Sequence, residues 1–317
     1  MDNVGDDMRK KLLISGAGGS LFPYLTDVLS EKYDLILTDS NELVKKLYPE
    51  RDTRIVPKVV DPSFARVMTD IIKNDGVDYY IPLIDEEILI AHKVAAGCGV
   101  RVLAPAPEFV SLCLDKLELM KALAECGISV IPTETADRYD GSYGFPLFLK
   151  PKTGRGSRGA MKICSQAAFD AYFVLENYTK EEVLVQPYIG GQEYTVSVTA
   201  NSINRLISVV PKIVYLKQGI TKHAAGVHHD GIESLCRKIV EIFAPCGSFN
   251  VQLKEDGGKL HIFEINPRYS TTLVLSIACG INEIDLNIEH FEDINAPYIA
   301  EFKSVGLIRR TESVFYE

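Results

Sequence analysis

The apolar positions of this chain fall into a repeated alternation. A continuous apolar run in "KLLIS" (11–15) gives way to the glycines of "GAGG" and then to helical spacing that lasts to about Ser30. "YDLILTDS" repeats the strand pattern and ends at Asp39. A helical stretch near 63–74 precedes "VDYYIPLIDEE", and "GVRVLAPAPE" supplies a further strand. Strands alternating with helices predict a parallel sheet covered on both faces. The first unit is therefore expected to be a Rossmann-like domain of residues 1–107.

The pattern changes after Pro107. A single helix is predicted from about Glu108 to Cys126, with Gly127 as its stop. "GFPLFLKPKTGRGSRGAMKI" reads as two apolar strands around a glycine- and cation-rich loop, and "EEVLVQPYIGGQEYTVSVTA" as strand, linker, strand. Residues 231–246 have helical spacing, and "SFNVQLKEDGGKLHIFEI" reads as a hairpin around the "DGG" turn signal. The second part of the chain divides into residues 108–190, which carry the glycine-rich loop, and 191–317, which carry the hairpin.

The end of that hairpin, "HIFEINPRYS", places Glu264, Asn266 and Arg268 two apart. Residues two apart share a face of a strand, so an acid, an amide and a guanidinium line one side. Glu264 and Asn266 are oxygen donors of the kind hard Mg²⁺ requires, and Gln252 on the partner strand is a third. A three-residue loop, Asp256 to Gly258, puts Gln252 opposite Ile262 and one diagonal from Glu264; a two-residue loop sends it to the other face. The metal reading therefore predicts a loop of odd length.

Composition narrows the partners. Apolar residues make up 46% of the 317, charged residues 24%, and the net charge is −9. There is no basic surplus for a nucleic acid or an anionic membrane, so the expected partners are small molecules. Seven widely spaced cysteines without a CxxC pair, together with the absence of a signal-peptide pattern, predict reduced thiols and a cytoplasmic protein.

Two loops could hold phosphate. "GAGG" (16–19) with Asp39 about 20 residues on resembles a dinucleotide fingerprint, but the third glycine position is Leu21. The favoured reading is a tight turn in a Rossmann-like domain without nicotinamide. "KPKTGRGSRG" (150–159) combines three glycines and Ser157 with Lys150, Lys152, Arg155 and Arg158, the densest basic cluster in an acidic chain. A strand–loop–strand with a lysine leading in suits a flap that closes over a polyphosphate.

Taken in order, these segments resemble the ATP-grasp superfamily, in the branch of the carbamoyl-phosphate synthetase large subunit. "FNVQLKEDGGKLHIFEINPRYSTT" is similar to its metal-binding end, and "LDKLELMKALAECGISVIP" to its lysine-bearing helix and following strand. "LFLKPKTGRGSRG" is similar to its second lysine and flap, and "VQPYIGGQEYTV" to its adenine linker and ribose acid. The match covers roughly residues 105–280. It implies an α/β chain: a Rossmann-like domain followed by an α+β ATP-grasp fold with a flap subdomain. It also implies ATP and two Mg²⁺ ions, with Mn²⁺ as a substitute. Lys116 and Lys150 would hold phosphates beside the flap residues Gly156 and Ser157. Gln186, Tyr188 and Ile189 would hold adenine, and Glu193 the ribose. Gln252, Glu264 and Asn266 would hold metal. Arg268 would steady the transferred phosphoryl group, acting with Lys150 and Glu264 in catalysis. Many members carry an acid where this chain has Gln186, which shifts adenine recognition onto the backbone.

The implied activity is an ADP-forming carboxylate–amine ligase working through an acyl phosphate on small, amino-acid-like metabolites, as a monomer or homodimer. A kinase on the same fold, a nicotinamide oxidoreductase using Gly16, Gly18 and Asp39, and a silent ATP-binding regulator are the alternatives. For substrate choice the candidates are Asp85 and Glu86, which follow a strand of the first domain, and Lys222 or His223 in "YLKQGITKHAAGVHH" (215–229), alongside Arg268. The adjacent His228 and His229 read as surface or lid residues.

Overall fold

The computed structural model describes residues 9–154, 156 and 158–316. The first unit is a five-stranded sheet of β1 (Lys11–Ser15), β2 (Asp34–Asp39), β3 (Asp52–Ile55), β4 (Tyr79–Ile81) and β5 (Arg101–Val102), all parallel in the order β3-β2-β1-β4-β5. Alternation along β1 explains why both faces are covered. Leu12 and Ile14 pack against Phe22, Leu25 and Leu29 of α1 (Phe22–Ser30). After the short α2 (Val44–Leu47), Leu13 meets Phe64, Met68 and Ile72 of α3 (Phe64–Asp75) and Ile88 and Ala91 of α4 (Ile88–Ala96) on the other face. The strand order reverses between β1 and β4, and open parallel sheets bind ligands at such a point. Asp85 lies there, in a single 3₁₀ turn after β4.

At the "GAGG" turn, the two halves of the would-be fingerprint bond to each other. The Gly18 amide donates to Asp39 Oδ2 at 2.8 Å, and the Asn41 amide donates to Asp39 Oδ1 at 2.8 Å. Gly16 sits at φ +74°, where a side chain would be strained.

One predicted helix is in fact two, α5 (Pro107–Leu114) and α6 (Lys116–Glu125). The break is at Asp115, whose extended backbone (φ −98°, ψ 97°) lets its carboxylate accept from the amides of Leu117 and Glu118. An N-cap satisfies donors that a continuing helix would bury differently, and it makes Lys116 the first residue of α6.

A four-stranded sheet follows, from β6 (Glu134–Thr135), β7 (Leu147–Pro151), β8 (Met161–Ile163) and β9 (Val183–Pro187), with α7 (Gln166–Glu176) on one face. The six-stranded antiparallel sheet contains β10 (Gln192–Ala200), β11 (Leu206–Gln218), β12 (Ile220–Gly226), β13 (Ser248–Asp256), β14 (Lys259–Asn266) and β15 (Gly306–Ile308). Tyr194, Val196, Val198 and Val251 bury one face of it against α6 and α8 (Asp230–Phe243). The other face carries Glu193, Thr195, Ser197 and Thr199. Its inner end is capped by α9 (Leu273–Ala278) and α10 (Glu283–His290), where Ser276 reaches Ser197 and Asn287 reaches Ser248. Its outer end is open. The segment 215–229, read from sequence as polar and glycine-containing, forms most of the β11–β12 hairpin, turned at Gly219 (φ +70°). Among the described residues no helix is long and apolar enough to cross a membrane.

Candidate active site

The metal row is built by a device that differs from the expected one. The β13–β14 turn has two residues, Gly257 and Gly258, both at positive φ, with Asp256 paired to Lys259. By parity alone that turn would point Gln252 away. A β-bulge corrects it: Leu253 pairs with Ile262 and Gln252 with Glu264, leaving Phe263 as the extra residue. Gln252 therefore stands directly across from Glu264, and Asn250 directly across from Asn266. Direct cross-strand neighbours are closer than the expected diagonal ones.

The bulge also serves the lysines. The Phe263 carbonyl accepts from Lys150 Nζ at 2.8 Å, and the Phe263 ring lies 5.7 Å from both Lys150 Nζ and Lys217 Nζ. Lys150 enters from β7 and is buried. Burial pushes its pKa down to about 8, with Glu264 pulling the other way and Lys116 and Lys217 pushing it further down. Lys116, at the start of α6, donates to the Gly154 carbonyl at 2.8 Å and lies 3.6 Å from Glu264 Oε1. Two lysines from different parts of the chain thus converge on one carboxylate.

The linker after β9 is held from both ends. The Tyr188 amide donates to the Pro146 carbonyl at 3.0 Å, and Lys254 Nζ donates to the Ile189 carbonyl at 3.0 Å. Lys162 and Lys254 lie over the Tyr188 ring at 4.0 and 5.3 Å. The Gln186 side chain is buried and donates to Thr133 Oγ1 at 2.8 Å. Glu193 Oε1 accepts from Lys217 Nζ at 2.7 Å.

Arg268 follows Pro267, where the strand ends. Its Nε donates to Asp85 Oδ1 at 2.6 Å, its Nη2 to Asp85 Oδ2 at 3.2 Å, and its Nη1 to the Tyr269 carbonyl at 3.3 Å. A guanidinium has five N–H groups. Three are engaged here, and among the described residues one N–H on each terminal nitrogen is left without an acceptor. The turn after β4 thus fixes the plane of a side chain that follows β14.

These groups line a cavity of about 370 Å³ that takes in Gly156, Arg158, Gln186, Ile189 and Asn250 as well. Its lining cations are Lys116, Lys150, Arg158, Lys217, Lys254 and Arg268, against the carboxylates of Glu193 and Glu264. In a chain of net charge −9, that is a local concentration of positive charge.

Of the predicted site residues, Lys116, Lys150, Gly156, Gln186, Tyr188, Ile189, Glu193, Gln252, Glu264, Asn266 and Arg268 come together here; Ser157 lies outside the described residues. Glu86 is exposed next to Asp85. Lys222 and His223 do not line the cavity: the backbone carbonyl of Lys222 accepts from Arg309, and exposed His223 packs 4.6 Å from Tyr215. The residues of that hairpin that do reach it are Lys217, Gly219 and Ile220, and Lys217 is the charged one among them. Register shifts on either side of Leu216 decide which lysine points inward, and the sequence pattern carried no sign of them. Asn250 and Lys254 were within reach of the sequence, since each is two residues from Gln252. His229 caps α8, its Nδ1 accepting from the Ile232 amide at 3.2 Å, and His228 stacks on Phe302.

A family model described as "ATP-grasp in the biosynthetic pathway with Ter operon" matches residues 179–314. The fold matches biotin carboxylase from Campylobacter jejuni with a TM-score of 0.75 at 16% identity, covering 93% of this chain and 73% of that one. Over residues 179–314 the chain is similar to the ATP-grasp family. An L-amino acid ligase from Bacillus licheniformis has a similar fold, with a TM-score of 0.67 at 14% identity over 90% of this chain and 74% of the other. The large chain of carbamoyl phosphate synthase from Clostridium acetobutylicum is 24% identical over 219 residues, 60% of this chain and 20% of that relative. The arginine-specific large chain from Bacillus subtilis is 20% identical over 251 residues, 71% and 24% respectively. The chain spans about a fifth to a quarter of the length of these two curated relatives.

Proposed function

We propose that the protein is an ATP-dependent, ADP-forming carboxylate–amine ligase that acts through an acyl phosphate on small, amino-acid-like metabolites. The carrying observation is the convergence of Lys116, Lys150, the Gln252–Glu264–Asn266 row and the guanidinium of Arg268 on one cavity. Phosphoryl transfer asks a protein mainly for positioning and charge cancellation, and these groups supply both. The lysines hold the polyphosphate, Glu193 faces the ribose, and the 187–189 linker faces adenine. The donor set of one carboxylate and two amide oxygens fits Mg²⁺ that arrives with phosphate oxygens as further ligands. Bound there, the metal would neutralise phosphate charge.

A substrate carboxylate oxygen attacks the terminal phosphorus of ATP, and ADP leaves. The guanidinium of Arg268 holds the transferred phosphoryl. An amine then attacks the acyl carbon, losing a proton, and phosphate leaves. The proposed role of the glycine-rich loop after Lys150 is to keep water from the acyl phosphate. The proposed setting is the cytoplasm, as a monomer or homodimer.

An ADP-release screen over amino acids, singly and in pairs, tests the reading. Release should need both a carboxylate and an amine, and hydroxylamine should replace the amine and yield a hydroxamate. Amine-independent release with a stable phosphorylated product would mean a kinase.

Lys150 adds a pH signature. Its lowered value, about 8, belongs to the free protein; a bound polyphosphate favours the ammonium and raises it. Between those two values binding takes up a proton, so Mg·ADP affinity should fall as pH rises above about 8 and level off below it. Calorimetry in two buffers of different ionisation enthalpy reads the uptake. Lys150→Met should abolish it, and a flat affinity from neutral pH to about pH 10 would contradict the assignment.

A further inference from the structure

We propose that Lys217 keeps divalent metal out of the nucleotide-free site, so that metal enters only together with nucleotide. This rests on the reading that Gln252, Glu264 and Asn266 hold Mg²⁺. The Lys217 ammonium lies 2.7 Å from Glu193 Oε1, 3.1 Å from Gln252 Oε1 and 5.7 Å from the centre of the Phe263 ring. An ammonium held between two oxygen donors and a ring face occupies a place made for a cation. Lys116 faces the next ligand of the row, 3.6 Å from Glu264 Oε1. Two of the three metal ligands thus already have a lysine against them.

The charge balance points the same way. The row offers one carboxylate, with Lys116, Lys150 and Lys217 around it. Among the described residues no group of three or more His, Cys, Asp or Glu side chains could hold a metal. A bare divalent cation would have to displace Lys217 into a cavity that is already cationic. A polyphosphate changes both sides of that exchange. Its oxygens complete the metal's coordination and accept the lysines that the metal releases. Lys217 is thus a positioning residue: it acts through Gln252 and Glu193. The register shifts beside Leu216 put it there.

The test is Mn²⁺ binding followed by the electron paramagnetic resonance of the free ion, with and without ADP, for the wild type, Lys217→Met and Lys217→Arg. The wild type should bind Mn²⁺ far more tightly with ADP than without. Lys217→Met should bind Mn²⁺ in the absence of ADP about tenfold or more tighter than the wild type, because one adjacent positive charge is gone. Lys217→Arg, which keeps the charge, should behave as the wild type. Equal wild-type affinity with and without ADP overturns the proposal and needs no variant. An unchanged ADP-free affinity in a folded Lys217→Met protein overturns it too. Failure of the underlying reading looks different: no ADP binding by the wild type at any metal concentration.

Discussion

Glu264→Gln is expected to abolish ligation while the protein still folds and melts as the parent does. The substitution keeps volume and strand shape, so packing on β14 should barely change. What it removes is the single carboxylate of the metal row, the group opposite Gln252 and 3.6 Å from Lys116 Nζ. Three neutral amide oxygens would remain to hold divalent metal against a polyphosphate. Removing one well-placed charge-stabilising group costs roughly 10²–10³ in turnover, and a ligand that also balances two lysines should cost at least that. Asn266→Asp should be milder, since an oxygen ligand stays in place. Steady-state ADP release, measured beside a thermal melt without nucleotide, checks both. A Glu264→Gln protein that melts normally and keeps turnover within about tenfold of the parent would place the metal elsewhere.

The second large effect is at Arg268, where structure and chemistry can be separated. Its side chain and that of Asp85 are only 16% and 14% exposed. Arg268→Met leaves the Asp85 charge mostly buried without its partner and should cost about 3 kcal/mol of stability. It should also remove turnover if, as proposed, the Arg268 guanidinium meets the transferred phosphoryl. Adding Asp85→Leu should restore the melt towards the parent, since a well-packed apolar pair often replaces a buried ion pair at little cost. Turnover should stay lost. Asp85→Asn alone removes the acceptor for one of the two Arg268 bonds, so it should lower turnover while Mg·ADP affinity holds. A double variant that regains both stability and activity would reduce Arg268 to a latch between the ends of β4 and β14.

These two sites differ in how they can be read from the chain. Glu264 and Asn266 are two apart on a strand, and that spacing alone puts them on one face. The opposite position of Gln252 depends on a turn and a bulge. The sequence pattern predicts an odd loop; the molecule uses an even loop, Gly257–Gly258, and one extra residue, Phe263. Both solutions satisfy the same parity, so the shared face of Gln252, Glu264 and Asn266 was legible while its construction was not. Asp115 is a comparable case. An unbroken helical spacing covers residues 108–126, but a carboxylate that caps two amides ends one helix and starts another, and so places Lys116.

The sequence by itself determined the alternation of strands and helices in the first unit, the order of the two lysine segments, the linker and the metal row, and the absence of a basic surplus. Covalent spacing and periodicity fix all of these, because they depend on neighbours a few residues away. Only the tertiary structure decided that Arg268 is oriented by Asp85, 183 residues earlier, and that Lys217 reaches the cavity instead of Lys222 or His223. The first needs two distant segments to meet; the second needs register shifts on β11 that turn one lysine inward. Neither leaves a periodic trace, because a contact between distant segments and a slipped hydrogen-bond ladder are settled by the energy of the assembled fold.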